Sequence, residues 1–290
     1  EQVAKQEQPA KVDVKHRQGA LLRAVPDSEQ PVSSVAIPVK PVAAPARPVP
    51  PSVDLQRARD LDSKGNLLEA RESYLTALSG QGTVAGGVAI EKRLGEIHIA
   101  LMTSQLPMPE KVDYVVQRGD AVQKIAKKFG TTDELVVRQN SLSTNEFLRV
   151  GEKLKVLKGT FSIEVSKGRN DMVLMLNDRF VKRYSVGTGK QGKTPVGSFV
   201  VTAQKEKNPV WWKDNKAIPF GQPENILGTR WMAIRATGNT PEVRGYGIHG
   251  TWDDKSIGKA ESAGCIRMHN TDVEELFMLV PPGTPVTITE

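Results

Sequence analysis

Apolar residues are spaced differently in successive stretches of this 290-residue chain. Over 53–106 they recur at helical intervals. Leu55, Ala58 and Leu61 share one face, and after a Gly65-Asn66 turn Leu67, Ala70, Tyr74, Ala77 and Leu78 share another. A third helix is predicted over 88–104. Between 112 and 157 the period changes more than once. Tyr114-Val115-Val116 reads as a strand, and Val122, Ile125, Ala126 and Phe129 mark a helix that Asp120 is expected to cap and Gly130 to end. Thr132-Asp133 opens a second helix carrying Leu135 and Val136 and ending near Asn140, and Leu154-Lys155-Val156 closes the segment as a strand. From Phe161 onward short strands dominate, expected at 161–167, 171–177, 179–187, 197–204, 231–236 and 244–249. One helix interrupts them. Thr271-x-x-Glu274 reads as its capping box, Val273, Leu276, Phe277 and Val280 as its apolar side, and Pro281-Pro282-Gly283 as its stop. Val286 and Ile288 then alternate with threonines in a last strand. Residues 160–290 are thus expected to form a mainly antiparallel, sandwich-like β domain, with 205–229 as a long loop of the kind that covers a binding site.

The first 52 residues lack this patterning. No Phe, Trp or Tyr precedes Tyr74, and 31–51 holds seven of the 19 prolines, so 1–52 reads as a disordered or polyproline-like stalk. Lys and Arg number 40 against 33 Asp and Glu, a formal charge of +7, but the excess is spread along the chain, and no nucleic-acid partner is expected. No run of 18 apolar residues offers a membrane span. A single cysteine, Cys265, excludes a disulfide scaffold and a cysteine-rich zinc site. The sequence starts Glu1-Gln2 without Met, which hints at a removed N-terminal segment and export.

The chemistry gathers around that cysteine. It lies in Ser262-Ala263-Gly264-Cys265-Ile266-Arg267-Met268, and Tyr246-Gly247-Ile248-His249-Gly250-Thr251 lies upstream. A thiol performs acyl transfer when a nearby imidazole takes its proton and returns it to the departing amine. Small neighbours such as Gly264 let a carbonyl approach and let backbone N–H groups face the developing oxyanion. An isolated Cys and His are more often an inert hydrophobe and a loop residue; here glycines flank both.

Two family resemblances sharpen these readings. The β-α-α-β order over 112–157, with the phrases YVVQRGD, IAKKFG and LRVGEKLKV, resembles a LysM domain. That likeness implies binding to N-acetylglucosamine-containing glycan strands, in a groove beside loops 118–121 and 141–149. The helical region 53–106 is similar to one tetratricopeptide-like hairpin, and no binding role is assigned to it. Residues 160–290 resemble an L,D-transpeptidase catalytic domain of the YkuD type. The likeness rests on the two segments above and on Lys193-Thr194-Pro195-Val196-Gly197-Ser198-Phe199, Asn208-Pro209-Val210-Trp211, Ile218-Pro219-Phe220-Gly221 and Asn225-Ile226-Leu227-Gly228.

The resemblance makes Cys265 the nucleophile and His249 the base and then the acid, with the Gly250 carbonyl orienting the imidazole. It puts the oxyanion hole at the amides around Gly264 and Cys265. Arg267 either positions substrate or holds its loop, Ser262 supports the loop, and Trp211 and Tyr246 belong to the substrate site. The family's usual His before Gly-Cys is Ala263 here, which leaves the proton work to His249. His269 is a remote rival base; His16 and His98 are not expected to be catalytic. Trp231 is expected in the core, and Trp211, Trp212 and Trp252 in loops flanking the cleft. The implied activity needs no cofactor and no metal. It acts on peptidoglycan stem peptides in the cell envelope, releasing D-Ala and forming 3→3 crosslinks through a thioester. An L,D-carboxypeptidase and a non-catalytic wall-binding protein are the alternatives.

Overall fold

The structure is a computed structural model, and it describes residues 53–80, 87–143 and 147–290. The stalk expected over 1–52, and with it His16, lies outside the described residues.

Three helices come first: α1 (Val53–Ser63), α2 (Leu67–Gly80) and α3 (Gly87–Met102). The LysM-like segment follows as β1 (Lys111–Val115), α4 (Val122–Phe129), α5 (Asp133–Gln139) and β2 (Lys153–Leu157). The rest of the chain is β3 (Phe161–Ser166), β4 (Asp171–Leu176), β5 (Arg179–Ser185), β6 (Thr188–Gly189), β7 (Gly197–Lys207), β8 (Trp211–Lys213), β9 (Lys216–Ile218), β10 (Arg230–Ala236), β11 (Gly247–His249), β12 (Ala260–Ser262), β13 (Ile266–Arg267), α6 (Asn270–Leu279) and β14 (Pro285–Thr289).

Eight strands form one sheet in the order β13-β11-β10-β7-β14-β3-β4-β5. The pairs are antiparallel except β11/β13 and β14/β3. The last strand therefore sits mid-sheet between β7 and β3 and ties the two halves together. Alternation along the strands puts Ile163, Val165, Phe199, Val201, Met232, Ile248, Val286 and Ile288 into one core, closed by Val273, Leu276 and Phe277 of α6. The architecture is the one expected: a few helices, a LysM region and a mostly antiparallel sheet that carries one packed helix.

A lone helical hairpin cannot bury its apolar face, and here the sheet supplies the missing cover. Leu55, Ala70, Tyr74, Leu94, Ile97 and Leu101 join the same core as Leu174 and Val181. Six such side chains remove enough apolar surface to contribute on the order of 10 kcal/mol gross. At Gly95 a Cβ would come within 2.9 Å of Lys182 Cγ, so α3 lies directly on β5. Beneath this contact runs a buried polar chain. The Arg71 guanidinium donates to both Glu110 oxygens (2.5 and 3.1 Å) and through Nε to His98 Nε2 (3.0 Å), while His98 Nδ1 is 2.8 Å from the Val181 carbonyl.

The LysM segment has its own small core of Tyr114, Ile125, Leu154 and Val156, but Leu135 of α5 reaches into the main one. Thr132 Oγ1 caps α5 by accepting from Leu135 N–H and also donates to the Met278 carbonyl of α6. Lys207 pairs with Glu134 at 2.8 Å.

Four local expectations need correction. Asp120 does not cap α4: its carboxylate accepts from the Tyr114 hydroxyl and the Gln117 amide, closing the preceding turn instead. The Thr271 capping box is absent, because the N-cap of α6 falls two residues earlier, at His269, with no side-chain cap. Asn270, at its first position, is drawn away to bond Thr229 N–H and the Thr251 carbonyl. The stretch 205–229 is not all loop. β7 runs on to Lys207, and β8 and β9 form a hairpin whose base is fixed by Asn225, which donates to the Pro209 and Ile218 carbonyls. Finally, the third helix ends at Met102, two residues short of the predicted limit.

Candidate active site

The parallel pair β11/β13 builds the site. Its register sets Ile248 opposite Ile266 and His249 opposite Arg267. Successive side chains alternate faces, so the two isoleucines go into the core and His249 and Arg267 emerge together on the other face. Cys265, two residues before Arg267, shares that face as a diagonal neighbour of His249. The same row continues across the sheet: Trp231 pairs with His249, and Glu206 with Trp231. Glu206, Trp231, His249, Arg267 and Cys265 all line one cleft of about 410 Å³. Its walls are completed by Gln204, Val210, Trp211, Trp212, Ile226, Leu227, Gly245, Ser262 and Ala263.

The loop carrying Cys265 is held by backbone-directed hydrogen bonds. β12 pairs with β6, setting Ser262 opposite Gly189. The Ser262 hydroxyl donates to the Cys265 carbonyl (2.7 Å) and accepts from the Gly264 N–H (3.0 Å). Buried Thr194, from the Lys193-Thr194-Pro195 segment, accepts from Gly189 N–H and donates to the Gly264 carbonyl. Gly264 has φ +140°, and a Cβ there would meet Tyr246 Cε1 at 2.6 Å, so no side chain fits. Two expected roles change accordingly. The Gly264 amide is already bonded to Ser262, which leaves the Cys265 N–H as the amide of the pair with no acceptor among the described residues. Tyr246 lies behind Gly264 and supports the loop from beneath rather than lining the cleft.

His249 is 2% exposed, and its Nδ1 lies 2.6 Å from the Gly250 carbonyl. A carbonyl only accepts, so Nδ1 carries the proton and Nε2 is the basic nitrogen. Packing requires glycine at 250, since a Cβ there would collide with Asn270 Oδ1. The Trp231 indole stacks on the imidazole, centroids 5.7 Å apart at 30°. Burial pushes the His249 pKa down to about 4, and nearby Arg267 pushes the same way. Burial raises the Cys265 thiol, against the Gly247 amide and Arg267, which favour the thiolate. The resting pair is therefore a neutral thiol and a neutral imidazole. The thiol is half-buried, its sulfur 3.6 Å from the Gly245 carbonyl. Arg267 keeps a buried Nε without a partner.

The structure thus brings Cys265, His249, Arg267, Ser262 and Trp211 to one cleft. Trp211 and Trp212 arrive on strand β8 rather than on a loop. Trp252 packs on Phe220 outside the lining. His269 is bonded to Asp254 at the start of α6, away from the cleft. Trp231 is not core. Met232 and Ile234 take the core face of β10, which sends Trp231 to the cleft side; their alternation carried that signal. Gln204 and Glu206 were missed for another reason. A bulge adds two residues to β7 opposite Met232–Ile234, which breaks simple alternation.

A second, larger cavity of about 1610 Å³ is lined by Asp120, Val122, Arg138, Leu142 and Leu148 of the LysM segment, by Thr103–Gln105, and by Lys207 and Met278.

A strand-built cleft with a cysteine, a backbone-oriented histidine and an arginine on one face, beside a LysM segment, is the kind of site an acyltransferase uses. The chain belongs to the L,D-transpeptidase family: the profile of the YkuD L,D-transpeptidase catalytic domain matches residues 160–288, and that of the LysM domain 114–157. The L,D-transpeptidase relative YqjB of Bacillus subtilis strain 168 is 44% identical over 135 residues, 46% of this chain and 74% of its own length. YkuD of the same organism is 36% identical over 183 residues, 60% of this chain and 97% of its own. Among solved structures, L,D-transpeptidase 3 of Mycobacterium tuberculosis aligns with 49% of this chain and 66% of its own, at 20% identity and a TM-score of 0.38. Among the described residues no helix is long and apolar enough to cross a membrane.

Proposed function

We propose that the protein is a cysteine-dependent L,D-transpeptidase of the cell envelope that forms 3→3 crosslinks in peptidoglycan. The observation that carries this reading is the shared face of Cys265, His249 and Arg267 in one cleft, with His249 oriented through the Gly250 carbonyl. His249 Nε2 takes the thiol proton as Cys265 Sγ attacks the carbonyl between the diamino acid at position three and D-Ala at position four of a stem. The oxyanion is met by the Cys265 N–H. Collapse breaks the C–N bond, and the imidazolium protonates the leaving D-Ala amine. The thioester remains. The side-chain amine of a second stem then attacks it, His249 takes the amine proton, the C–S bond breaks, and the sulfur is reprotonated. The neutral resting pair fits this order, because the proton moves only once substrate has displaced water. The LysM segment holds the enzyme on glycan, in the cavity beside its loops, and raises the local concentration of stems.

Incubation with tetrapeptide-bearing muropeptides and mass spectrometry tests this directly. D-Ala release with dimers is expected. Release without dimers would make the protein a carboxypeptidase, and neither product, with glycan binding intact, would make it a wall-binding protein. A carbapenem-type acylating inhibitor is expected to add covalently to Cys265, read by intact mass.

A further inference from the structure

The row across β7, β10, β11 and β13 has opposite charges at its ends: Glu206, then Trp231, His249 and Arg267. We propose that Glu206 selects the donor stem by binding the side-chain ammonium of the diamino acid whose carbonyl Cys265 attacks. This deepens the reading above and rests on it.

Three observations carry the assignment. First, Glu206 lines the cleft, and among the described residues only Gln204 Nε2 donates to its carboxylate (3.1 Å). The flanking lysines are committed elsewhere: Lys205 Nζ donates to the Phe277 and Val280 carbonyls, and Lys207 pairs with Glu134. A carboxylate lining a cleft without a cationic partner among the described residues is suited to receive one from a ligand. Second, the span fits. Three strand spacings separate Glu206 from Arg267, about 14 Å, which a diamino side chain extending from the attacked carbonyl and a glutamate side chain reaching toward it can bridge. The methylenes would lie along the Trp231 indole, whose face also favours an approaching ammonium. Third, the charge order fixes direction. Arg267, next to Cys265, attracts the D-Ala carboxylate and repels an ammonium, so the cationic side chain is sent toward Glu206.

The test uses the full chain and two tetrapeptide donors, one with a free side-chain amine at position three and one with that amine acetylated, with D-Ala release as the readout. Wild type is expected to acylate about 10- to 100-fold faster (kcat/KM) with the free amine. Glu206→Gln should lose that factor on the free-amine donor and treat both donors alike, and Glu206→Lys should prefer a donor with an acidic third residue. Equal turnover of the two donors by wild type overturns the proposal, and that arm stands even if the variants fail to fold. A raised acceptor KM with unchanged acylation in Glu206→Gln would assign the carboxylate to the acceptor stem and overturn it too. No D-Ala from either donor would instead bring down the nucleophile reading, and this proposal with it.

Discussion

Two buried histidines occupy two regions of this molecule and look alike by most measures. His98, under the helical hairpin, and His249, in the cleft, are both nearly inaccessible, both have Nδ1 against a backbone carbonyl, and both are held by burial at a pKa of about 4. They differ at the other nitrogen. His98 Nε2 accepts from Arg71, whose guanidinium is bound in turn by Glu110, so the ring is satisfied on both sides. No side chain bonds His249 Nε2, and that ring lines a cleft with a thiol. A perturbed pKa therefore does not single out a catalytic residue. What sets His249 apart is its place on the wall of a cleft that also holds a thiol, while the same chemistry closed on an arginine is a structural clamp.

The sharpest way to break this contrast is to remove each partner and measure both turnover and stability. Cys265→Ala is expected to cut D-Ala release by on the order of 10⁴-fold or more while leaving glycan binding intact. His249→Gln should cost about 10³-fold. Substitution at His98 should leave turnover per folded molecule within about twofold. A large loss of activity in a folded His98 variant would refute the clamp assignment. Arg71→Met strands Glu110 and the His98 ring together and should destabilise the fold by about 3 kcal/mol, read by denaturant midpoint, with Cys265 acylation unchanged.

The pH dependence sharpens the comparison next. Both histidines have folded pKa values below the ordinary 6.5, so between 6.5 and about 4 the unfolded chain binds more protons than the folded one. Their stabilising contribution is complete above 6.5 and is lost as pH falls through that window. Substituting His98 should flatten the stability–pH slope there. Acylation should stay level from neutral pH down to about 5 and fall toward 4; an acid limb centred near 6.5 would show that the resting imidazole is not shielded. The smallest effect is at Gly95, where Gly95→Ala presses on Lys182 and should cost about 1 kcal/mol, without touching turnover.

Much of the fold was legible because long periodic stretches say what they are. The α1 and α2 faces, the β-α-α-β order over 112–157 and strands β3 to β5 all declare themselves by spacing. The cysteine and histidine segments stood out through their glycines, and those glycines have specific duties: Gly250 leaves room for the Asn270 amide, and Gly264 turns where Tyr246 leaves no room. What could not be read was pairing. Strands β11 and β13 are three and two residues long, too short for any period, yet their parallel register assembles the site. Trp231 was misplaced because strand propensity is blind to which face a residue takes until its neighbours are counted. The partner of the helical hairpin was invisible for a similar reason, since β5 gives no local sign that α3 will cover it. The expected caps failed where Asp120 found donors in the preceding turn and where α6 began ahead of Thr271.

Strand β7 serves two chambers at once. Gln204 and Glu206 project into the catalytic cleft, while Lys207 projects into the cavity beside the LysM loops. Any slip of this strand by one position would exchange a carboxylate for an ammonium in the cleft and undo the ion pair to Glu134 in the same movement. The two chambers cannot drift independently, so a lineage that retunes its peptide preference through this strand must also renegotiate its hold on the neighbouring module.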